Sequence, residues 1–159
     1  MKDKALTGAG GVFHVASVFS MRGMIALPTI RNTAGYDIIA TSRDGTRHAN
    51  VQVKTSAARP DFWPVCQTIT AVKTSQNDFY VLLRRTPDSE TFEGFMLTGE
   101  EMKTELEGYV AHCKATGQQF DKFALCIGIE DEQKAERWRK RWQTWTLEEN
   151  PAQKAAMNP

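Results

Sequence analysis

From Tyr36 to Ser56 the chain reads YDIIATSRDGTRHANVQVKTS, apolar and polar residues alternating on either side of an Asp-Gly pair, and few folds other than an antiparallel hairpin accept that pattern. With Asp44-Gly45 as a two-residue turn, Arg43 meets Thr46 and, further down the ladder, Asp37 meets Gln52 with Lys54 one diagonal step away. Successive strand residues face opposite sides, so Ile38, Ala40, Val51 and Val53 share one face and Asp37, Gln52 and Lys54 the other. The first face is core. The second gathers a carboxylate, an amide and an ammonium, although alternation alone is met by a half-buried pair with its polar face in water.

Around the hairpin the chain punctuates itself. Val12, Val15, Ala16 and Phe19 recur at helical spacing from about Ala5 to Met21, and Gly23 is placed to stop that helix. Met24 to Leu27 reads as a short strand ended by Pro28, followed by a polar loop from Thr29 to Gly35. Ala57 to Pro64 reads as a Pro-flanked loop holding Phe62 and Trp63. Phe79 to Leu83 and Phe92 to Leu97 read as strands joined by a turn at Pro87-Asp88-Ser89. Thr98-Gly99-Glu100-Glu101 has capping-box spacing and predicts a helix to about Lys114. Phe123 to Ile129 is a candidate last strand, or the start of the next helix, and Asp131 to Trp145 is a strongly amphipathic helix. The sum is an α/β or α+β chain, a mixed sheet flanked by helices, with residues 1–150 as one domain and 151–159 as a loose tail.

A chain of 159 residues can fold around one core without staples. Its three cysteines, Cys66, Cys113 and Cys126, are widely spaced and lack metal-site or disulfide patterning; each reads as a small buried hydrophobe. No apolar run approaches membrane-spanning length, and the first residues make a poor signal peptide, so a cytoplasmic protein is expected. The net charge of +1 is uninformative, but residues 20 to 60 carry Arg22, Arg31, Arg43, Arg47, Lys54 and Arg59 against Asp37 and Asp44. That excess suits an anion such as a phosphate backbone.

The segment from Gly8 to Ser56 resembles the PD-(D/E)XK nuclease superfamily, in the prokaryotic branch whose second acidic position is Gln. The resemblance rests on Val15-Ala16, Arg22-Gly23, Arg31-Asn32-Thr33, Tyr36-Asp37-Ile38 and Gln52-Val53-Lys54-Thr55, and continues more faintly through Trp63, Phe79-Tyr80-Val81, Arg141-Trp142 and Trp145. It implies a restriction-endonuclease-like fold and metal-dependent hydrolysis of DNA. Asp37, Gln52 and Lys54 would be the catalytic residues; Asp37, Gln52 and the Val53 carbonyl would hold Mg²⁺ or Mn²⁺; Arg31, Asn32, Arg43, Arg47 and Arg59 would meet nucleic acid. One departure stands out. Where the family carries a metal-holding Glu on its first helix, this chain has Val12, after Gly11. With Gln52 neutral, Asp37 is then the one formal negative charge of the site, and weak metal binding follows unless substrate phosphates complete the shell.

Other features have plainer readings. Trp138, Trp142 and Trp145 form one helical face beside a basic stripe of Lys134, Arg137 and Arg141, which is an expected core face with a wet flank but also a possible single-strand platform. The small residues Gly8-Ala9-Gly10-Gly11 lack a P-loop continuation and suit close helix packing. His48 and His112 have no partners at catalytic spacing. Three functions stay open at this level: an active nuclease, a degenerate module that still binds nucleic acid, and an interaction scaffold forming a homo-oligomer through a sheet edge or the aromatic helix.

Overall fold

A computed structural model describes residues 4–30, 35–56, 61–85, 91–118 and 124–149. Helix α1 (Lys4–Met21) leads into β1 (Ile25–Pro28), β2 (Ile38–Thr41) and β3 (His48–Ser56). Then come β4 (Phe62–Cys66), β5 (Asp78–Arg85), β6 (Phe92–Thr98), α2 (Gly99–Thr116), β7 (Leu125–Gly128) and α3 (Glu132–Thr144). Five strands form one sheet in the order β1-β2-β3-β5-β6, with β3 and β5 parallel and the other pairs antiparallel. Strands β4 and β7 pair antiparallel as a second sheet. This is the expected α+β class, a mixed sheet flanked by helices.

The parallel pair at the centre is covered on both faces, as parallel strands generally are, β5 fully and β3 only in part on the face of Gln52 and Lys54. Strand β5 is apolar throughout from Phe79 to Leu83. On one side Val51, Val53, Phe79, Val81 and Leu83 pack against Val15 and Phe19 of α1. On the other, Tyr80 and Leu82 pack with Trp63, Met102, Leu106 and Ile127 from β4, α2 and β7. Helix α1 comes close enough to β3 that a Cβ added at Gly11 would overlap the Thr55 hydroxyl, whereas Gly8 and Gly10 meet open space. Close packing through small residues is therefore realised at one glycine of the run.

Helix α2 begins as the spacing predicts: the Thr98 side chain accepts from the Glu101 N–H at 3.2 Å, and the Glu101 carboxylate accepts from the Thr98 N–H at 2.8 Å. Helix α3 lies along the outer edge strand β6, with Trp138 in one core and Trp142 and Trp145 in the other. Trp142 sits where a Cβ on Gly94 of β6 would be. The aromatic face is thus core, and its basic flank is paired: Lys134 with Glu105 at 2.8 Å, Arg137 with Glu101 at 3.3 Å, and Arg141 also with Glu101.

Two expectations are corrected. Phe62 and Trp63 belong to strand β4 and not to a loop; Pro64 is tolerated because it is exposed and sits where the β4–β7 register shifts. Trp63 is fully buried and donates from Nε1 to the Leu83 carbonyl at 2.8 Å. Cys113 and Cys126 are buried, but Cys66 is only half-buried. The Pro87-Asp88-Ser89 turn, Phe123 and the tail from 151 lie outside the described residues.

Gly11→Ala should lower stability by about 1–3 kcal/mol through overpacking against Thr55. Gly10→Ala, on the exposed side of the same helix, should raise it by up to about 1 kcal/mol. Urea unfolding of the two variants beside the parent chain measures both.

Candidate active site

The hairpin register is the one the sequence dictates: Ile38 opposes Val51, Ala40 opposes Ala49 and Thr41 opposes His48. Its turn is different. Ser42 N–H donates to the Arg47 carbonyl at 3.0 Å and Gly45 N–H to the Ser42 carbonyl at 3.0 Å, so Arg43 and Asp44 are central and Gly45, at φ 72°, follows them in the left-handed region. Arg43 and Thr46 are loop residues and not a ladder pair. The register is unaffected, because the four-residue connection is centred on the same point as the expected two-residue one. Asp44 Oδ1 accepts from Ser42 Oγ at 2.6 Å, Thr46 N at 3.1 Å and Thr46 Oγ1 at 2.9 Å, which lowers its pKa to about 2.

At the other end the ladder slips, and the expected pairing of Asp37 with Gln52 is not formed: the ladder ends at Ile38 opposite Val51. Asp37 N–H donates to the carbonyl of Val51, the residue already opposite Ile38, at 2.9 Å. Beyond this point β2 parts from β3, and the Val53 N–H that faces it is taken by Asp37 Oδ2 at 2.7 Å. Since a strand residue sends its N–H and C=O to the same edge, the Val53 carbonyl faces the side from which Asp37 reaches in. A carboxylate and a main-chain oxygen therefore share the gap where the strands separate.

Gln52 and Lys54 alternate to the side of the sheet that carries Tyr80 and Leu82, their Cα partners on β5. Lys54 is half-buried, and its pKa is lowered by that burial against the opposing pull of the Asp37 charge and of Cys66. Lys54 in turn draws down the Cys66 thiol, whose pKa burial raises. A carboxylate that sequence reasoning left unassigned lies on this same side. Asp78, 3% exposed, accepts from Asn50 Nδ2 and Ser75 N–H, each at 2.9 Å, and its pKa falls because those bonds and one from Tyr36 outweigh burial. Its only sequence signal was its position before the run FYVLL.

The remaining described candidates lie apart from this gap. Arg43 and Arg47 lie at the turn end of the hairpin, about 20 Å from Val53 at 3.3 Å per residue along β3. Arg31, Asn32 and Arg59 lie outside the described residues. Helix α1 has no acidic residue between Lys4 and Met21, and Val12 is part of the packing on its buried side. His14 packs on Phe92 and Trp142, with centroids 5.1 and 6.2 Å apart, and burial lowers its pKa. Asp61, an acid at the start of β4, is ion-paired with Arg84. Among the described residues no three His, Cys, Asp or Glu side chains cluster as metal ligands do.

No known family profile matches the sequence, and no curated protein matches it. Among solved structures, the bacterial homing endonuclease I-Ssp6803I is similar over 98% of this chain and 99% of its own, with a TM-score of 0.55 and 15% sequence identity. The chain has a nuclease-like fold. At that identity the likeness extends to the path of the chain and not to its side chains. Among the described residues no helix is long and apolar enough to cross a membrane.

Asp37→Asn keeps an acceptor for the Val53 N–H and removes the charge that holds Lys54 up. The Lys54 pKa should therefore fall further, as a titration of its side-chain NMR signals reads directly. Asp37→Ala removes the acceptor too, and should cost about 1–3 kcal/mol of stability by leaving that N–H unpaired.

Proposed function

We propose that this protein is a nuclease-like hydrolase of DNA phosphodiesters whose site is built from Asp37, Gln52 and Lys54, in the manner of the D…QxK branch of the PD-(D/E)XK superfamily. One observation carries the reading: on an endonuclease-like fold, an acid, a main-chain carbonyl and a half-buried amine converge where β2 leaves β3.

The reaction needs an attacking water, stabilisation of charge at phosphorus, and help for the departing oxygen. The donor set fits a hard divalent cation: a carboxylate oxygen of Asp37 and the Val53 carbonyl, with the Gln52 amide oxygen as a third donor. Mg²⁺ commonly takes only one or two carboxylates and completes its shell with water and substrate phosphate. Mg²⁺ or Mn²⁺, when bound, would stabilise charge on the phosphate and on the leaving oxygen. Asp37 has one oxygen committed to the Val53 N–H, which fixes the direction of the other. Lys54, as an ammonium, donates to the attacking water and orients it. In its neutral form, which burial favours, Nζ takes the proton that water gives up.

A second reading has an observation of its own. Because α1 supplies no carboxylate, the cation affinity of the free protein is low, and the same fold could retain DNA binding after catalysis was lost. A nicking assay on supercoiled plasmid with Mg²⁺ or Mn²⁺ separates the two. Cleavage by the parent chain, lost at least a hundredfold in both Lys54→Ala and Asp37→Asn with the fold intact by circular dichroism, supports the nuclease. Binding without cleavage supports the degenerate module. In either case metal-free DNA affinity of Asp37→Asn should hold or rise, since a charge that repels phosphate has gone.

A further inference from the structure

The hairpin turn, the end of α1 and the segment that follows α3 enclose a cleft of about 330 Å³ that the proposed chemistry leaves unused. Three guanidinium groups line it: Arg22 just after α1, and Arg43 and Arg47 from the turn. Elsewhere, four described arginines are committed to acids, Arg84 and Arg139 to Glu93 and Arg137 and Arg141 to Glu101. Among the described residues none of the three cleft arginines is within ion-pair distance of a carboxylate. Arg22 lies 5.2 Å over the Trp142 ring and donates to the Trp145 carbonyl at 3.4 Å, and Arg47 donates to the Leu147 carbonyl at 3.4 Å. These are long bonds to neutral acceptors, and burial lowers the Arg22 pKa with no anion to offset it. Two acids share the lining, Asp44 and Glu148. Asp44 is turned into its own loop by three donors, and the formal balance still leaves one positive charge.

We infer that this cleft is a phosphate-binding pocket that seats one phosphodiester of the DNA backbone. A diester carries one negative charge, which matches the excess, and guanidinium forks match phosphate oxygens better than any other cationic side chain does. The pocket stands about 20 Å along β3 from Val53, a distance that a duplex covers in about six base pairs at 3.4 Å each. The backbone would be held at the turn while a second phosphate lies at Asp37. The DNA assignment rests on the proposed function; the phosphate site does not.

The test uses the full chain and its Arg43→Gln and Arg47→Gln variants, both changed at the turn and outside the core. Inorganic phosphate, titrated against chloride at matched ionic strength, is followed by calorimetry and by tryptophan emission, to which Trp142 beneath Arg22 contributes. Saturable phosphate binding, about tenfold or more weaker in each variant, is expected for a lost charged hydrogen bond. For a duplex of twenty base pairs, the slope of log affinity against log salt should fall by about one per variant. No response to phosphate beyond that to chloride, or unchanged variants, overturns the pocket. Weakened phosphate binding with unchanged DNA affinity and salt slope overturns its assignment to DNA. Absence of cleavage with both effects present overturns only the nuclease.

Discussion

The central parallel pair, β3 beside β5, sets the terms for the rest of the molecule. Strands paired in parallel are stable when both faces are covered, and the described residues form three α-helices with which to cover them. Helix α1 closes one face. The other is covered by α2 together with the small β4–β7 sheet, whose Trp63 and Ile127 pack with Tyr80 and Leu82. Helix α3 joins the two cores by wrapping β6, one tryptophan turned to one side and two to the other. It thereby closes an edge that would otherwise offer unpaired backbone to another chain. Strand β1, at the opposite edge, has no such cover among the described residues, and Ile25 and Leu27 are exposed there.

The candidate site sits at a seam of this arrangement. Strand β2 pairs with only half of β3, so the antiparallel ladder stops while β3 continues along β5 through Val53 to Ser56. The main-chain groups of β3 that face the departed strand need partners, and the Asp37 carboxylate supplies one. Lys54 lies on the face covered by α2 and β4 but is not wholly enclosed, which lowers its pKa without hiding it. The proposed chemistry of the candidate site would thus follow from incomplete coverage.

Much of this was legible in the order of residues, because it depends on local periodicity. The register of the hairpin, the capping box at Thr98 and Glu101, and the buried tryptophan stripe were all open to such reasoning. What escaped it depends on distant partners or on competition between local signals. Glu101 neutralises Arg137 and Arg141 across some forty residues, so the basic stripe looked free when α3 was read alone. Pro64 argued against a strand that survives because its proline falls at a register shift. Asp44-Gly45 signalled a tight turn, but the Asp44 carboxylate finds its donors on both sides and organises a wider one. Asp78 looked like the polar border of a strand; its donors come from Tyr36, Asn50 and Ser75.

Asp37 has a structural employment and, under the proposed function, a catalytic one, and the two need not share a fate. Its carboxylate closes a hydrogen bond that the fold requires whether or not any bond in a substrate is ever broken. A descendant of this chain that abandoned catalysis would still be pressed to keep an acceptor at position 37. Lys54 has no such protection: an amine held half out of water is a standing cost, and drift would soon exchange it for an apolar residue. Across a lineage of such proteins, position 54 would therefore record the loss of chemistry long before position 37 did.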